Sequence, residues 1–291
     1  MQTSHAQSLD DTVVPKKLRH RWEMPLIYLS GALTFGALLF AIVLNAMGEE
    51  ALVGLAGENA GPLLEQANTA FAVLILPIGI FVLRFYQAAI AKANAVRVGP
   101  NQFPDIWNMY RDLGAAMGMT AVPKLYVTNG NGIVNAYALS CNTRHKYVVI
   151  HSEITVLMKD APQAVEFVLA HELAHHKLEH VSLWRIVIGF IPNLIVPLGV
   201  SATRAQEYSA DRVAHAVCKH RHQDAMNLLA VGPWIQGSID EDAWKEQCAQ
   251  ERTEFFVRVA NLFSNHAVLV KRSKALHDID REGPGLHGDM F

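Results

Sequence analysis

The sequence has few cysteines and no marked excess of charge of either sign. Both features limit the classes of protein to which the chain can belong. Its three cysteines, Cys141, Cys218 and Cys248, are scattered, and no two stand as Cys-x-x-Cys. They therefore predict neither a zinc knuckle nor a disulfide framework, and they fit a reducing compartment. Charged residues make up 18% of the 291 positions and the formal net charge is −2. Nothing in this balance indicates a nucleic-acid partner.

Hydrophobic residues are abundant, at 51% of the chain, and one run is long. Residues 24–47 contain no charged side chain over 24 positions. A helix of that length extends about 36 Å, more than the roughly 30 Å of a bilayer's hydrocarbon core. A cleaved signal peptide is the alternative, but its apolar region is shorter and ends at a small-residue cleavage site, which is missing here. We therefore expect a retained membrane anchor.

A second apolar run, 70–90, is interrupted by Arg84, whose side chain we expect to snorkel to the membrane interface. Basic residues cluster before the first run and after the second, whereas the intervening stretch 48–68 carries only acidic charges. By the positive-inside rule both ends then lie in the cytosol. The prediction is a mobile basic N-terminal tail, 1–23, and a two-helix transmembrane hairpin, 24–92. A pair of buried helices in a soluble protein is the alternative.

The most informative stretch is His-Glu-x-x-His at His171, Glu172 and His175. On a helix the two histidines are four positions apart, so both imidazoles leave one face and can bind a single metal ion. The intervening glutamate can reach a water on that metal as a general base. Asp160 as N-cap and Pro162 in the first turn predict where the helix begins. A buried helix with hydrogen-bonded histidines is the alternative.

A catalytic zinc takes three protein ligands, so a third must come from another element. Glu207 and Asp211 share one face of a following helix, which Thr203 and Gln206 predict to begin with a capping box. Glu207 can complete a two-histidine, one-glutamate set for one zinc ion per chain. Asp211 can accept a hydrogen bond from the second ring nitrogen of His171 and so orient that ligand.

The segment between the two metal helices, 184–200, has to return to its starting side, because Glu207 must share a metal with His171. It is apolar from Ile186 to Val200 except for Asn193. It is also too short for two complete spans. We expect a bent hairpin that dips into the membrane. A hydrophobic hairpin packed within the protein is the alternative.

Three short β-like runs, 124–127, 133–139 and 147–150, precede the metal helix and predict a small antiparallel sheet. The predicted fold is therefore mainly α with a small antiparallel β-sheet, plus two N-terminal transmembrane helices; the likeness of its His-Glu-x-x-His helix to those of zinc metallopeptidases makes it resemble an α+β zincin-like metallopeptidase domain. The domain is expected over 93–280, followed by a disordered tail, 281–291.

These motifs carry a family resemblance. The sequence resembles the HtpX and CAAX-prenyl-protease family of membrane zinc metallopeptidases (gluzincins), over roughly residues 20–280. The family's motif of His-Glu-x-x-His followed by Glu-x-x-x-Asp is matched by His171, Glu172, His175, Glu207 and Asp211. The resemblance implies a multi-pass protein of the cell (inner or plasma) membrane with its catalytic domain facing the cytosol. It also implies contact with the lipid bilayer and protein or peptide substrates.

Two weaker parts of the resemblance concern the substrate. The segment Asn135-Ala136-Tyr137 resembles the family's Asn-Ala-Phe-like segment, with Tyr in place of Phe. It would then lie on the sheet edge beside the cleft, where an extended substrate can add as a strand; ordinary strand residues are the alternative.

Near the C-terminus the family shows His-Pro followed by Arg-Ile and Leu. His266, Arg272 and Leu276 fit this pattern, whereas Ala267 and Ser273 depart from it. His266 could therefore approach the oxyanion, or it is a structural or surface histidine.

The implied reaction is peptide-bond hydrolysis, with Glu172 taking the proton of the attacking water. An HtpX-like endopeptidase that clips damaged membrane proteins is the first hypothesis. The second is a processing peptidase of narrow specificity, of the CAAX type. The third is a non-catalytic membrane scaffold whose zinc is structural.

Overall fold

The computed structural model describes residues 17–70, 72–218 and 221–291, so most of the predicted tail 1–23 lies outside the described residues. The fold is mainly helical with a small sheet. The helices are α1 (Glu23–Ala56), α2 (Ala60–Ala70), α3 (Ala72–Ala93), α4 (Pro104–Ala116), α5 (Ser152–Thr155), α6 (Pro162–Lys177), α7 (Leu183–Ile188), α8 (Phe190–Leu194), α9 (Val196–Val217), α10 (Gln223–Val231), α11 (Glu241–Glu251), α12 (Phe255–Phe263) and α13 (Leu269–Glu282). The strands are β1 (Val96–Arg97), β2 (Lys124–Thr128), β3 (Ala136–Ser140) and β4 (Lys146–His151).

The long N-terminal helix α1 contains the charge-free run. Its stretch Glu23–Met47 is the one helical segment among the described residues that is long and apolar enough to cross a membrane. Large apolar side chains on it face outward, among them Tyr28, Phe35 and Leu39. Two transmembrane helices were predicted, and one candidate is found among the described residues.

Helix α3, the second predicted span, is fixed to the rest of the protein through Arg84. This side chain is only 8% exposed. Its guanidinium donates hydrogen bonds to the carbonyls of Ser140 and Val181. The expectation that Arg84 snorkels to an interface was wrong, because two buried carbonyls that need donors lie within its reach.

The sheet has the order β1-β2-β4-β3 and is mixed. Strand β1 is antiparallel to β2 and β3 is antiparallel to β4, but β2 and β4 are parallel. The predicted strands are present, whereas the prediction of an antiparallel sheet was wrong. Strand β3 forms one edge of the sheet.

The loop between β2 and β3 explains the mixed sheet. This loop is held by Glu153, whose carboxylate accepts hydrogen bonds from the backbone N–H groups of Gly130 (3.1 Å) and Gly132 (2.6 Å). Because this loop leads the chain away from β2, β3 pairs with β4 instead. The β3–β4 hairpin then returns β4 parallel to β2.

Helix α6 is the centre of the domain. Most of its residues are buried, and it packs against α4, α9, α10 and the sheet. Pro162 is in its first turn as predicted, but the N-cap is Ala161 rather than Asp160. Helix α9 begins at Val196, so Thr203 lies inside it and caps nothing.

The apolar segment between α6 and the middle of α9 packs on α1. Its chain breaks near Gly189 and Ile195, where α7, α8 and α9 meet. The hydroxyl of Thr34 on α1 donates to the carbonyl of Ile188 at 2.7 Å. At Gly199 an added Cβ would lie 2.6 Å from Cα of Asn193, so only glycine permits this approach of the two helices. Contact with lipid at 184–200 remains a prediction.

The C-terminal residues are packed, in contrast to the disordered tail predicted for 281–291. Met290 is 2% exposed, and its carbonyl accepts a hydrogen bond from Nδ2 of Asn261 at 2.9 Å. Arg212 donates to the carbonyls of Pro284 and Leu286. Sequence composition indicated disorder because it carries no sign of these distant backbone partners.

Buried histidines make the fold sensitive to acid. His176 joins α6 to the sheet, since its Nε2 lies 2.9 Å from the Tyr147 carbonyl. Burial lowers the pKa of His176 from 6.5 to about 4, and burial does the same at His20 and His222. The unfolded chain therefore binds these protons at a higher pH than the folded protein does. Stability falls as the pH drops from about 6.5 to 4, by up to about 1.4 kcal/mol per pH unit for each such group.

We expect His176→Gln to reduce this pH dependence, because the amide can still donate to the Tyr147 carbonyl but does not titrate. Chemical denaturation between pH 7 and pH 4.5 measures the effect. His145→Gln, on an exposed turn, is the control. An unchanged slope in His176→Gln would contradict the assignment.

Candidate metal centre

Two helices bring three potential metal ligands together. His171 and His175 stand one turn apart on α6, and Glu207 faces them from α9. The two Nε2 atoms are 3.1 Å apart, and each lies 3.4 Å from an oxygen of Glu207. The three residues predicted as ligands thus bring one donor atom each to within 4.8 Å of one another, with each imidazole facing a different oxygen of Glu207.

The size of this triangle of residues, His171, His175 and Glu207, fits a zinc ion. Zinc binds nitrogen and oxygen ligands at about 2.0–2.2 Å in a tetrahedron, whose edges then measure about 3.3–3.6 Å. The Nε2–Nε2 separation of 3.1 Å, and the 3.4 Å from each Nε2 to its own oxygen of Glu207, are close to such edges. The donor set of two imidazoles and one carboxylate is also that of a catalytic rather than a structural zinc site.

Small residues allow the helices to approach. Ala170 and Ala174 on α6, and Ala210 and Ala214 on α9, are all fully buried. The narrow side chains leave space for the two helix backbones to come close, so that a short carboxylate side chain reaches the opposite imidazoles.

The second ring nitrogen of His171 lies beside Asp211, the residue that the sequence analysis proposed to orient it. Its Nδ1 lies 2.9 Å from Oδ1 of Asp211. Arg272 on α13 donates to both oxygens of Asp211, at 2.6 and 2.7 Å. Sequence analysis matched Arg272 to a pattern without giving it a role, and the structure shows it neutralising Asp211 beside the ligands.

The ionisable groups of the centre act strongly on one another, and a metal bound at Nε2 of His171 would displace a proton from that ring. Although burial by itself lowers the pKa of His171, hydrogen bonds to Asp211 and Glu207 raise it to about 10. Burial likewise opposes ionisation of Glu207, but His171 and His266 hold the pKa of that carboxyl well below its usual range. Burial lowers the pKa of His175 well below its ordinary value, so this imidazole is neutral and can act as a ligand.

Glu172 lies beside the triangle in a cleft of 220 Å³. Burial raises the pKa of its carboxyl to about 7. A group with that pKa can both accept and release a proton near neutral pH, which suits a general base. The cleft is lined mainly by β3 and its approach, α6, α9 and the C-terminal region. The lining residues are Val134, Asn135, Ala136, Ile154, Phe167, Val168, His171, Glu172, Glu207, Leu229, His266 and Arg272.

The weaker site predictions have mixed outcomes. Asn135 and Ala136 line the cleft at the edge strand, whereas Tyr137 does not. His266 also borders the cleft; its side chain is 71% exposed and its Nδ1 lies 3.1 Å from Glu207. The structure places His266 beside a metal ligand, and its action on an oxyanion stays a prediction.

A second group of donors, His215, His222 and Asp280, fits a metal less well. Nε2 of His215 is 2.7 Å from Asp280, whereas Nδ1 of His222 is 3.6 Å from it. The shorter distance is that of a hydrogen bond and is too small for two ligands of one zinc ion. The position of this cluster therefore indicates a structural contact between helices.

The chain has recognisable relatives. Residues 100–195 match the model of peptidase family M48, a stretch that includes His171, Glu172 and His175 but ends before Glu207. A protease HtpX homologue of Tropheryma whipplei (strain Twist) is 25% identical over 138 residues, 46% of each chain. No solved structure matches the chain.

Two further relatives agree. A protease HtpX homologue of Pelotomaculum thermopropionicum is 27% identical over 124 residues, 42% of this chain and 43% of that one. The chloroplastic plastoglobule-localized metallopeptidase 48 of Arabidopsis thaliana is 31% identical over 91 residues, 31% of this chain and 25% of that one. Each match spans less than half of the relative's length. They confirm the resemblance to HtpX-like proteins of family M48 and support a metallopeptidase.

Asp211→Asn should weaken zinc binding about 10- to 100-fold, because His171 loses the carboxylate that orients it. Competition with a fluorescent zinc chelator measures the affinity. Asp112→Asn is the control, since that side chain is 65% exposed on the surface. Equal zinc affinity in the Asp211 variant and the unaltered chain would disprove the role.

Proposed function

We propose that this chain, which resembles the HtpX-like members of peptidase family M48, is a membrane-anchored zinc endopeptidase. The observation that carries the proposal is the triangle of His171, His175 and Glu207, with Glu172 buried beside it in an open cleft. Zinc held there would lower the pKa of a water molecule and polarise the scissile carbonyl.

Each residue around the triangle has a distinct part in hydrolysis. Glu172 accepts the proton of the attacking water and passes it to the leaving amine. Asp211 orients His171, and Arg272 keeps Asp211 ionised within the buried centre. The hypothesis of a non-catalytic scaffold with a structural zinc gives no reason for a buried glutamate with a raised pKa in the cleft.

The cleft suits an extended peptide. Strand β3 forms an edge of the sheet, and its first residue, Ala136, borders the cleft together with the preceding Asn135, so a substrate backbone can pair along that edge. Phe167, Val168 and Leu229 supply an apolar wall for substrate side chains. These features favour unfolded or damaged proteins, including membrane proteins, as substrates.

The contacts of α1 support a position at the cytosolic membrane surface. The first residue of the apolar segment, Glu23, contacts Arg185 and Ser209 of the domain, so the domain lies at the N-terminal end of the span. Basic residues precede the span, and by the positive-inside rule this end faces the cytosol.

The decisive test is Glu172→Gln in the full-length chain, purified in detergent with zinc. Hydrolysis of an unfolded protein such as casein should fall by at least about 10²-fold, because the general base is lost. Zinc content should stay at about one ion per chain, since Glu172 is not a ligand.

A chelator should abolish hydrolysis by the unaltered chain, and zinc should restore it. A full rate in Glu172→Gln would refute the general-base role. A chain that binds zinc and hydrolyses neither casein nor a prenylated peptide would favour the scaffold hypothesis. Cleavage of the prenylated peptide alone would favour a processing peptidase.

A further inference from the structure

A buried carboxylate on the N-terminal helix lies close to the metal centre. Glu23, the first residue of α1, is 0% exposed. One carboxylate oxygen, Oε1, lies 3.2 Å from Nε2 of His180 and 2.9 Å from Nη1 of Arg185, and it also contacts Arg19. The other, Oε2, accepts a hydrogen bond from Ser209 at 2.5 Å.

His180 connects this carboxylate to a candidate ligand. Its Nδ1 is 2.9 Å from Nδ1 of His175, with the two ring centroids 5.0 Å apart. The backbone places it there, because Glu179 adopts a left-handed conformation (φ 61°) and the N–H of His180 bonds to the His175 carbonyl at 2.8 Å. A left-handed non-glycine residue is uncommon, and here it returns the chain beneath α6.

The hydrogens on these rings can be arranged in one consistent way when His175 uses Nε2 as its ligand atom. Nδ1 of His175 then carries a hydrogen and donates it to Nδ1 of His180. His180 must in turn carry its own hydrogen on Nε2, which lies 3.2 Å from Oε1 of Glu23 without the angle of a hydrogen bond. The series His175, His180 and Glu23 is therefore a continuous set of polar contacts from the candidate ligand to α1.

Each of the two candidate imidazole ligands is thus linked to a carboxylate on its side away from the metal. His171 contacts Asp211 directly, and His175 reaches Glu23 through His180. Such outer contacts fix the tautomer and the ring orientation of a histidine ligand and strengthen metal binding. We propose that Glu23 is a positioning residue for His175, acting through His180, so that the membrane-anchor helix forms part of the metal centre.

This inference rests on the proposed function in one respect, that the triangle binds zinc. The test uses full-length protein in detergent and measures zinc affinity by chelator competition, with no need for activity. His180→Ala and Glu23→Gln should each weaken zinc binding about 10- to 100-fold. The double variant should be little weaker than either single one, because both changes break the same series.

Two variants separate positioning from general support of the fold. Ser209→Ala removes a contact to Oε2 of Glu23, outside the path to His180, and should leave zinc affinity within about threefold. His180→Gln should recover part of the affinity lost in His180→Ala, because its amide oxygen can accept from Nδ1 of His175. Thermal unfolding of the metal-free variants identifies any that fail to fold. If Glu23→Gln fails to fold, the comparison of His180→Ala with His180→Gln still tests the proposal.

The absorption spectrum of Co²⁺ bound in place of zinc gives a second readout. It should change in His180→Ala and Glu23→Gln but not in Ser209→Ala, because it reports ligand geometry. Unchanged zinc affinity and an unchanged Co²⁺ spectrum in His180→Ala would overturn the inference. If the unaltered chain binds zinc and shows these effects without hydrolysing peptides, the proposed function fails and the inference stands.

Discussion

The close packing of α6 on α9 is the constraint on which the rest of the structure depends. A carboxylate on one helix meets two imidazoles of another only where the two helices pack closely. Ala170, Ala174, Ala210 and Ala214 provide that approach. The convergence of Glu207 with both histidines follows from this packing and not from either helix alone.

The same packing buries several charges, and the structure neutralises them in pairs. Asp211 is matched by Arg272, and Glu23 by Arg185. Removing one partner of such a pair would leave an uncompensated buried charge, which is far more costly than the pair itself. The carboxylates in this region therefore serve two purposes, because those that orient the histidines also hold α1 and α13 against the two central helices.

The grouping of the site residues could be predicted from sequence because spacing along a helix fixes which side chains share a face. His171 and His175, and likewise Glu207 and Asp211, are four residues apart, and their facing is a property of each helix alone. His180 was missed because five positions is not a helical spacing; only the left-handed turn at Glu179 returns it to His175. Glu23 was missed because it directly precedes the apolar run in the sequence, where a charged residue is ordinary at the end of a membrane span.

Long-range packing also explains the errors in the fold. The sequence indicates the strands but not that Glu153 would hold the loop before β3 and make β2 and β4 parallel. Arg84 was expected at a membrane interface because its carbonyl partners, on Ser140 and Val181, are distant in the chain. Local sequence signals predicted that these helices and strands would form. They failed to predict strand pairing and side-chain contacts that depend on residues distant in the chain.

The position of β3 at the edge of the sheet has a consequence for selectivity. Pairing through backbone groups does not depend on the side chains of the bound polypeptide. It does demand that this polypeptide have unpaired backbone groups over several consecutive residues, which a natively folded chain offers only at exposed sheet edges and in loops. An enzyme that captures its substrate in this way would discriminate by conformation, so it would need no recognition sequence to spare intact neighbours.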